Sequence, residues 1–178
     1  MQSFLSLAQA RRSTRKFTSQ EVSESIKKQL IQAALLAPAS KRSNPWEFIC
    51  VDNSELLQKL AKAKPHGGAF LAECPLAIVV IADSQKSDVW VEDTSIASIY
   101  IQLAAEDLGL GSCWVQIRKR EHESGILAAE YVKEILGIPQ QYDVESIIAI
   151  GYKAAERKPA DLESLLYERI HKNEFTNF

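Results

Sequence analysis

What this 178-residue chain lacks narrows its chemistry before any residue is singled out. It has no basic excess: 21 Lys and Arg against 23 Asp and Glu give a net charge of -2, whereas nucleic-acid-binding domains usually carry a cationic surplus. No apolar run approaches the ~20 residues of a membrane span; the longest, Pro75 to Ala82, has the length of a buried strand. The N-terminus shows no cationic segment leading into an apolar one, so no signal peptide is evident and a cytoplasmic location is expected. Cys50, Cys74 and Cys113 are too widely spaced for a zinc or redox motif, and an odd number argues against a disulfide framework. All three are expected as buried free thiols. His66, His122 and His171 are equally scattered, and no metal site is expected.

Catalytic signatures are missing as well. There is no G-x-S-x-G, no Cys with a recognisable His partner motif, and no pair of acids in an apolar setting. Gly109-Leu110-Gly111 does not continue to the third glycine of a dinucleotide fingerprint, nor to a phosphate-loop Gly-Lys-Ser/Thr. No side chain is therefore expected to act as the catalytic group, a pattern that suits an enzyme whose cofactor carries the chemistry.

The apolar residues that are present, 46% of the chain, suffice for one core, and the length suits a single domain over residues 1–178. Ser3 caps a first predicted helix with Phe4, Leu7 and Ala8 on one face. Ser23 opens a second, through Leu30 and Ala34 towards Pro38. Trp46 to Val51 reads as a strand, a short helix over Leu56, Leu57 and Leu60 follows, and Pro75 to Ala82 reads as a central strand covered on both faces. Val91 to Leu108 is apolar nearly all round, as expected of a buried or interface helix closed by Gly109. A strand near Cys113 to Ile117, a helix from Ala128 to Leu136, a strand from Val144 to Tyr152 and a last amphipathic helix from Asp161 to His171 complete the expectation. About four strands among six or seven helices make an α+β domain.

The densest chemistry lies in Arg11-Arg12-Ser13-Thr14-Arg15-Lys16-Phe17. Guanidinium groups bind phosphate in a planar, bidentate way, and a serine adds a short donor. In extended backbone Arg11, Ser13 and Arg15 share one side, able to clamp a small anion. On composition alone the stretch is equally a solvated basic turn or a nucleic-acid contact.

This stretch resembles the R-R-S-x-R-x-F signature of the nitroreductase family of FMN-dependent oxidoreductases, and four further segments resemble that family's motifs in order. These are Ala34 to Pro38, Asn44-Pro45-Trp46-Glu47-Phe48, Gly109 to Trp114, and Ile150-Gly151-Tyr152. The resemblance implies an α+β fold with a central, mostly antiparallel sheet flanked by helices, and a homodimer with FMN at the subunit interface. It implies hydride transfer from NADH or NADPH through flavin N5 to an electron-poor acceptor, a nitroaromatic or quinone, in two half-reactions. Arg11, Arg12 and Ser13 would bind the FMN phosphate and Arg15 would reach the pyrimidine end. Pro38, Ala39, Ser40 and Asn44 would come from the opposite subunit, and backbone groups of Val115 and Gln116 would lie along the flavin. Of the cations after Gly151, Lys153, Arg157 and Lys158, the last two are favoured to close the phosphate site.

Two departures stand out: Ala39 lacks a hydroxyl, and Arg42 puts a cation where the family often has an amide. Two other readings stay open. One is an FMN enzyme with oxygen-dependent or dehalogenating chemistry, which a longer lid or substrate-clamping residues would favour, and neither is seen. The other, kept open by these two changes, is a non-catalytic flavin-binding or dimeric interaction module. Trp46 and Trp114 read as core packing, Cys113 as structural, and His66-Gly67-Gly68 as a turn able to approach a flavin edge. Neither nucleic acid nor membrane is expected as a partner.

Overall fold

The computed structural model describes residues 3–175. Helix α1, Phe4–Ala10, starts where the Ser3 hydroxyl accepts from the Ser6 amide, and α2, Glu24–Leu35, starts from Ser23 in the same way. Strand β1 is Trp46–Val51, and α3, Ser54–Leu60, is capped by Asn53. Strand β2 is Leu76–Asp83, and α4, Trp90–Asp107, is the long central helix. Then come β3, Gly111–Gln116, α5, Ala128–Leu136, and β4, Tyr142–Gly151.

The four strands form one sheet in the order β1-β2-β4-β3, every neighbour antiparallel. Side-chain alternation splits the core. Leu76, Ile78, Val80, Ile148 and Ile150 meet Leu30 and Ala34 of α2 and Ile101 and Ala105 of α4. Ala77, Val79, Ile147 and Ala149 face the other way, onto Leu57 and Leu60 of α3 and Val132 of α5. The sheet is thus covered on both faces, while β1 and β3 are its two edges. One register shift falls between Val80 and Ile81: Ser146 pairs with Val80 and Val144 with Ile81, so Glu145 bulges from β4.

Three expectations need correction. There is no helix from Asp161 to His171; the segment holds only 3₁₀ turns at Leu162–Ser164 and Tyr167–Arg169. An eleven-residue helix is marginal without packing, and Leu165, Leu166, Tyr167 and Ile170 are all exposed here. With that helix gone, the described residues hold five α-helices rather than six or seven. Cys50 is exposed on edge strand β1, not buried. Cys74 and Cys113 are buried, and burial pushes the Cys74 thiol up to about 12. Among the described residues no helix is long and apolar enough to cross a membrane.

Candidate functional site at the free edge of the sheet

Strand β3 is the scaffold. It pairs with β4 on one side only, and in an antiparallel ladder successive residues turn their backbone groups alternately towards and away from the partner. The parity is fixed by two bonds. The Ser112 carbonyl accepts from the Thr14 amide, off the sheet, whereas the Ile117 amide donates to the Glu145 carbonyl, into it. Ser112, Trp114 and Gln116 therefore present their N–H and C=O groups to the open edge, and Val115 spends its own on Ile147. Outside the ladder to β4, and among the described residues, no backbone group accepts from the Trp114 or Gln116 amide.

The basic stretch lies against the start of this edge. Ser13 bridges Ser112 in parallel, and Phe17 bridges Lys153. Thr14 is buried beneath Gly111, where an added Cβ would come within 2.5 Å of the Thr14 Oγ1. Its neighbours alternate as their spacing predicts. Arg11, Ser13 and Arg15 all act on the Cys113 thiol, whereas Arg12 turns away and donates to the Lys158 carbonyl at 2.8 Å. Burial nevertheless dominates at Cys113 and raises its pKa, with Arg15, Ser13 and Arg11 pulling the other way. That is a structural thiol in a cationic setting, not a reactive one.

Of the cations after Gly151, Lys153 is committed to Glu106 at 2.7 Å. Arg157 donates to the Ser13 carbonyl at 3.0 Å, and with Ser13, Thr14, Arg15, Lys16 and Ala155 it lines a cavity of about 260 Å³. Lys158 contributes its carbonyl, to Arg12. Among the described residues no carboxylate lies within 4.0 Å of Arg11, Arg12, Arg15 or Arg157, although Lys27, Lys86, Arg118, Lys133 and Lys153 all have one. Cations gathered without counter-ions repel one another, a cost that a bound anion removes.

One participant was not singled out from the sequence. Lys64, in the turn after α3, has its pKa lowered by burial and by Arg120, with Cys113 acting in the opposite sense. Its charge is thus felt both at Cys113, on which Arg15 also acts, and at Arg120 in the turn that follows β3. Arg15 itself lies 5.9 Å over the Phe70 ring. The signal available in the sequence was the break at Lys64-Pro65-His66-Gly67-Gly68, which holds a cation beside two glycines.

Pro38, Ala39, Ser40 and Asn44 are elsewhere. They precede β1, at the opposite edge of the sheet from β3, so one chain does not bring them to the Arg11 group. Their loop is rigidly held all the same. The Ser40 amide donates to Asp93 at 2.8 Å, and the other Asp93 oxygen accepts from Ser87. Lys41, Arg42 and Asn44 all have positive φ, of 52°, 57° and 42°. Three non-glycine residues in that region within four positions store strain of a few kcal/mol in total, as is common where a loop is shaped for a ligand or partner.

The profile of the Nitroreductase family matches residues 8–67 and 63–152. A protein of Archaeoglobus fulgidus named "Putative NADH dehydrogenase/NAD(P)H nitroreductase" is 34% identical over 98% of this chain and 100% of its own length. The solved structure of an FMN-dependent nitroreductase from Clostridium difficile R20291 superposes with a TM-score of 0.95 and 47% identity, over 97% of this chain and 100% of that one. A nitroreductase family protein from Clostridium novyi NT gives 0.75 and 25%, over 85% and 87%. Five motifs in order, an antiparallel sheet with the basic stretch docked on its free edge, and these matches carry one conclusion: the chain belongs to the nitroreductase family.

Proposed function

We propose that the chain is an FMN-dependent NAD(P)H oxidoreductase. The observation that carries this reading is the pairing of unspent edge amides on β3 with a cluster of uncompensated cations at its start. This donor set fits FMN, a planar ring with a chain of hydroxyls ending in a phosphate. The chemistry FMN supplies when bound is acceptance of a hydride from NADH or NADPH in one half-reaction and release of two electrons to a nitroaromatic or quinone in the other.

The chain's own residues bind, orient and polarise. Arg11 and Ser13 would hold the phosphate, with Arg157 closing that end while tied to the Ser13 carbonyl, and Arg12, turned to the Lys158 carbonyl, would brace the segment from behind. Arg15 and Lys64 put fixed positive charge where the ring gains negative charge, stabilisation that needs no reorganisation during the reaction. Gln116 offers its amide at the open edge. Its side chain is locked by accepting from the Trp114 indole at 2.9 Å and donating to the Arg118 carbonyl at 3.0 Å.

The site is completed by a second copy of the chain, whose Pro38, Ala39, Ser40 and Asn44 cover the ring. Exposed Phe4, Leu5, Leu35, Leu36, Ile96 and Ile99 on α1, on α4 and at the end of α2 supply apolar surface for that dimer. The test is a visible spectrum of the purified protein followed by anaerobic NADH or NADPH. A yellow protein that bleaches is expected; a colourless protein that cannot be reconstituted with FMN overturns the reading.

A further inference from the structure

Strand β3 runs out into Arg118-Lys119-Arg120, three consecutive cations at the end of the strand far from the Arg11 cluster. The turn is held tightly. The Arg118 amide donates to the bulged Glu145 carbonyl, the Arg120 amide to Ile117, and Lys119 has φ of 56°. The Arg118 guanidinium lies 5.5 Å over the Trp90 ring, and its Nε is 3.9 Å from the buried Glu145 carboxylate. Arg118 is thus a wall element with its charge already answered.

Lys119 and Arg120 differ. Both are exposed, and among the described residues no carboxylate lies within 4.0 Å of either. Together with Arg118, Trp90, Leu127 and Ala129 they line a cavity of about 210 Å³. Asp143 also lines it, but with Arg118 answered by Glu145 the two remaining cations still exceed the acid.

The reduced ring brings about one negative charge, and Arg15 and Lys64 are there to meet it. Lys119 and Arg120 are left over. The cavity walls are an indole, a leucine and an alanine, and its volume falls below the ~300 Å³ at which drug-sized ligand sites begin. One aromatic ring fits such a space. We propose that this cavity is the subsite for an anionic acceptor, a single aromatic ring seated against Trp90 and Leu127 with its carboxylate or sulfonate held by Lys119 and Arg120. This deepens the oxidoreductase reading and rests on it.

The test uses the purified holoprotein with benzoate and its neutral isostere benzamide, neither of which takes electrons. Calorimetric titration should show benzoate binding about tenfold more tightly at low salt, as expected of charge-assisted hydrogen bonds, with the preference shrinking in 0.3 M salt. In Lys119→Gln/Arg120→Gln the ratio of the two affinities should collapse towards one, and in Arg120→Gln alone it should fall part of the way. Equal affinities in the unmodified protein, or a preference that survives the double substitution, overturn the proposal. So does a double variant whose anaerobic reduction by NADPH slows while its benzoate preference stands, because the cations would then serve the donor. The visible spectrum separates the two failures: yellow protein without a benzoate preference removes only this subsite, and protein without flavin removes the oxidoreductase reading and the subsite with it.

Discussion

Replacing Gly111 by alanine tests whether the contact between the basic stretch and β3 is what assembles the anion site. The added Cβ would meet Thr14 at 2.5 Å from Oγ1, 2.6 Å from Cβ and 2.7 Å from Cγ2. None of these atoms is the tip of a flexible side chain. Thr14 is β-branched and buried, and its amide is bonded to the Ser112 carbonyl at 2.9 Å, so no rotamer change removes the clash. Either the backbone from Arg12 to Arg15 moves out by most of an ångström or β3 yields, and β3 is held by its ladder to β4. Overpacking of this kind costs about 1–3 kcal/mol, which for a domain of this size lowers the melting temperature by about 2–12 °C. The displaced segment is the one that carries Arg11, Ser13 and Arg15, so FMN affinity should fall by more than the loss of stability explains. Thermal unfolding with and without added FMN measures both effects. Gly109→Ala is the contrast: φ there is 75° with no atom within 4 Å, so it should cost about 1 kcal/mol of backbone strain and leave flavin retention alone. Gly111→Ala with unchanged melting temperature and full flavin content would refute the argument that this contact sets the clamp.

Arg11→Ala with Arg15→Ala should leave stability within about 0.5 kcal/mol, since neither side chain has an ion-pair partner, yet yield largely colourless protein. Full flavin retention would contradict the assignment. Asp93→Ala leaves the buried Ser87 hydroxyl and the half-buried Ser40 amide unbonded, at about 1–3 kcal/mol by denaturant titration, and frees the loop that the proposed dimer would bring to the other subunit's site. Glu145 gives a pH prediction. Burial raises its pKa above the ordinary 4.5, against the Gln116 amide and Arg118. A carboxyl with a raised folded pKa stabilises the fold below the unfolded value and loses that contribution as pH climbs through the folded one. Glu145→Gln should therefore gain stability relative to the parent as pH climbs above the ordinary 4.5, and a parallel pair of stability curves would rule that out.

How far the sequence disclosed all this depends on the range over which each signal acts. Helix starts at Ser3 and Ser23, the helix end at Gly109 and the two-sided strand Leu76–Asp83 are local matters of caps, turns and periodicity, and they were legible. The C-terminal segment failed because its periodicity from Asp161 to His171 describes a face with nothing in one chain to pack on. Lys64 and Arg120 are 56 positions apart, and only the folding of the turn after α3 against the end of β3 makes them neighbours. The Glu145 bulge depends on two strands at once and leaves no mark in either alone.

The same distinction of range bears on why the proposed site is built from two chains. Arg11 to Arg15 and Gly111 to Gln116 are nearly a hundred residues apart, yet Thr14 under Gly111 fixes them to each other within one chain. The loop from Pro38 to Asn44 has no such contact. It is fastened by Asp93 at the edge of the sheet remote from β3, with three residues at positive φ. Strain of that kind persists where surrounding contacts hold it and clusters where a loop meets a ligand or partner, and among the described residues no contact joins this loop to the Arg11 group. In the proposed dimer a second copy, brought against the apolar residues on α1 and α4, would account for both the strained loop and the open edge of β3.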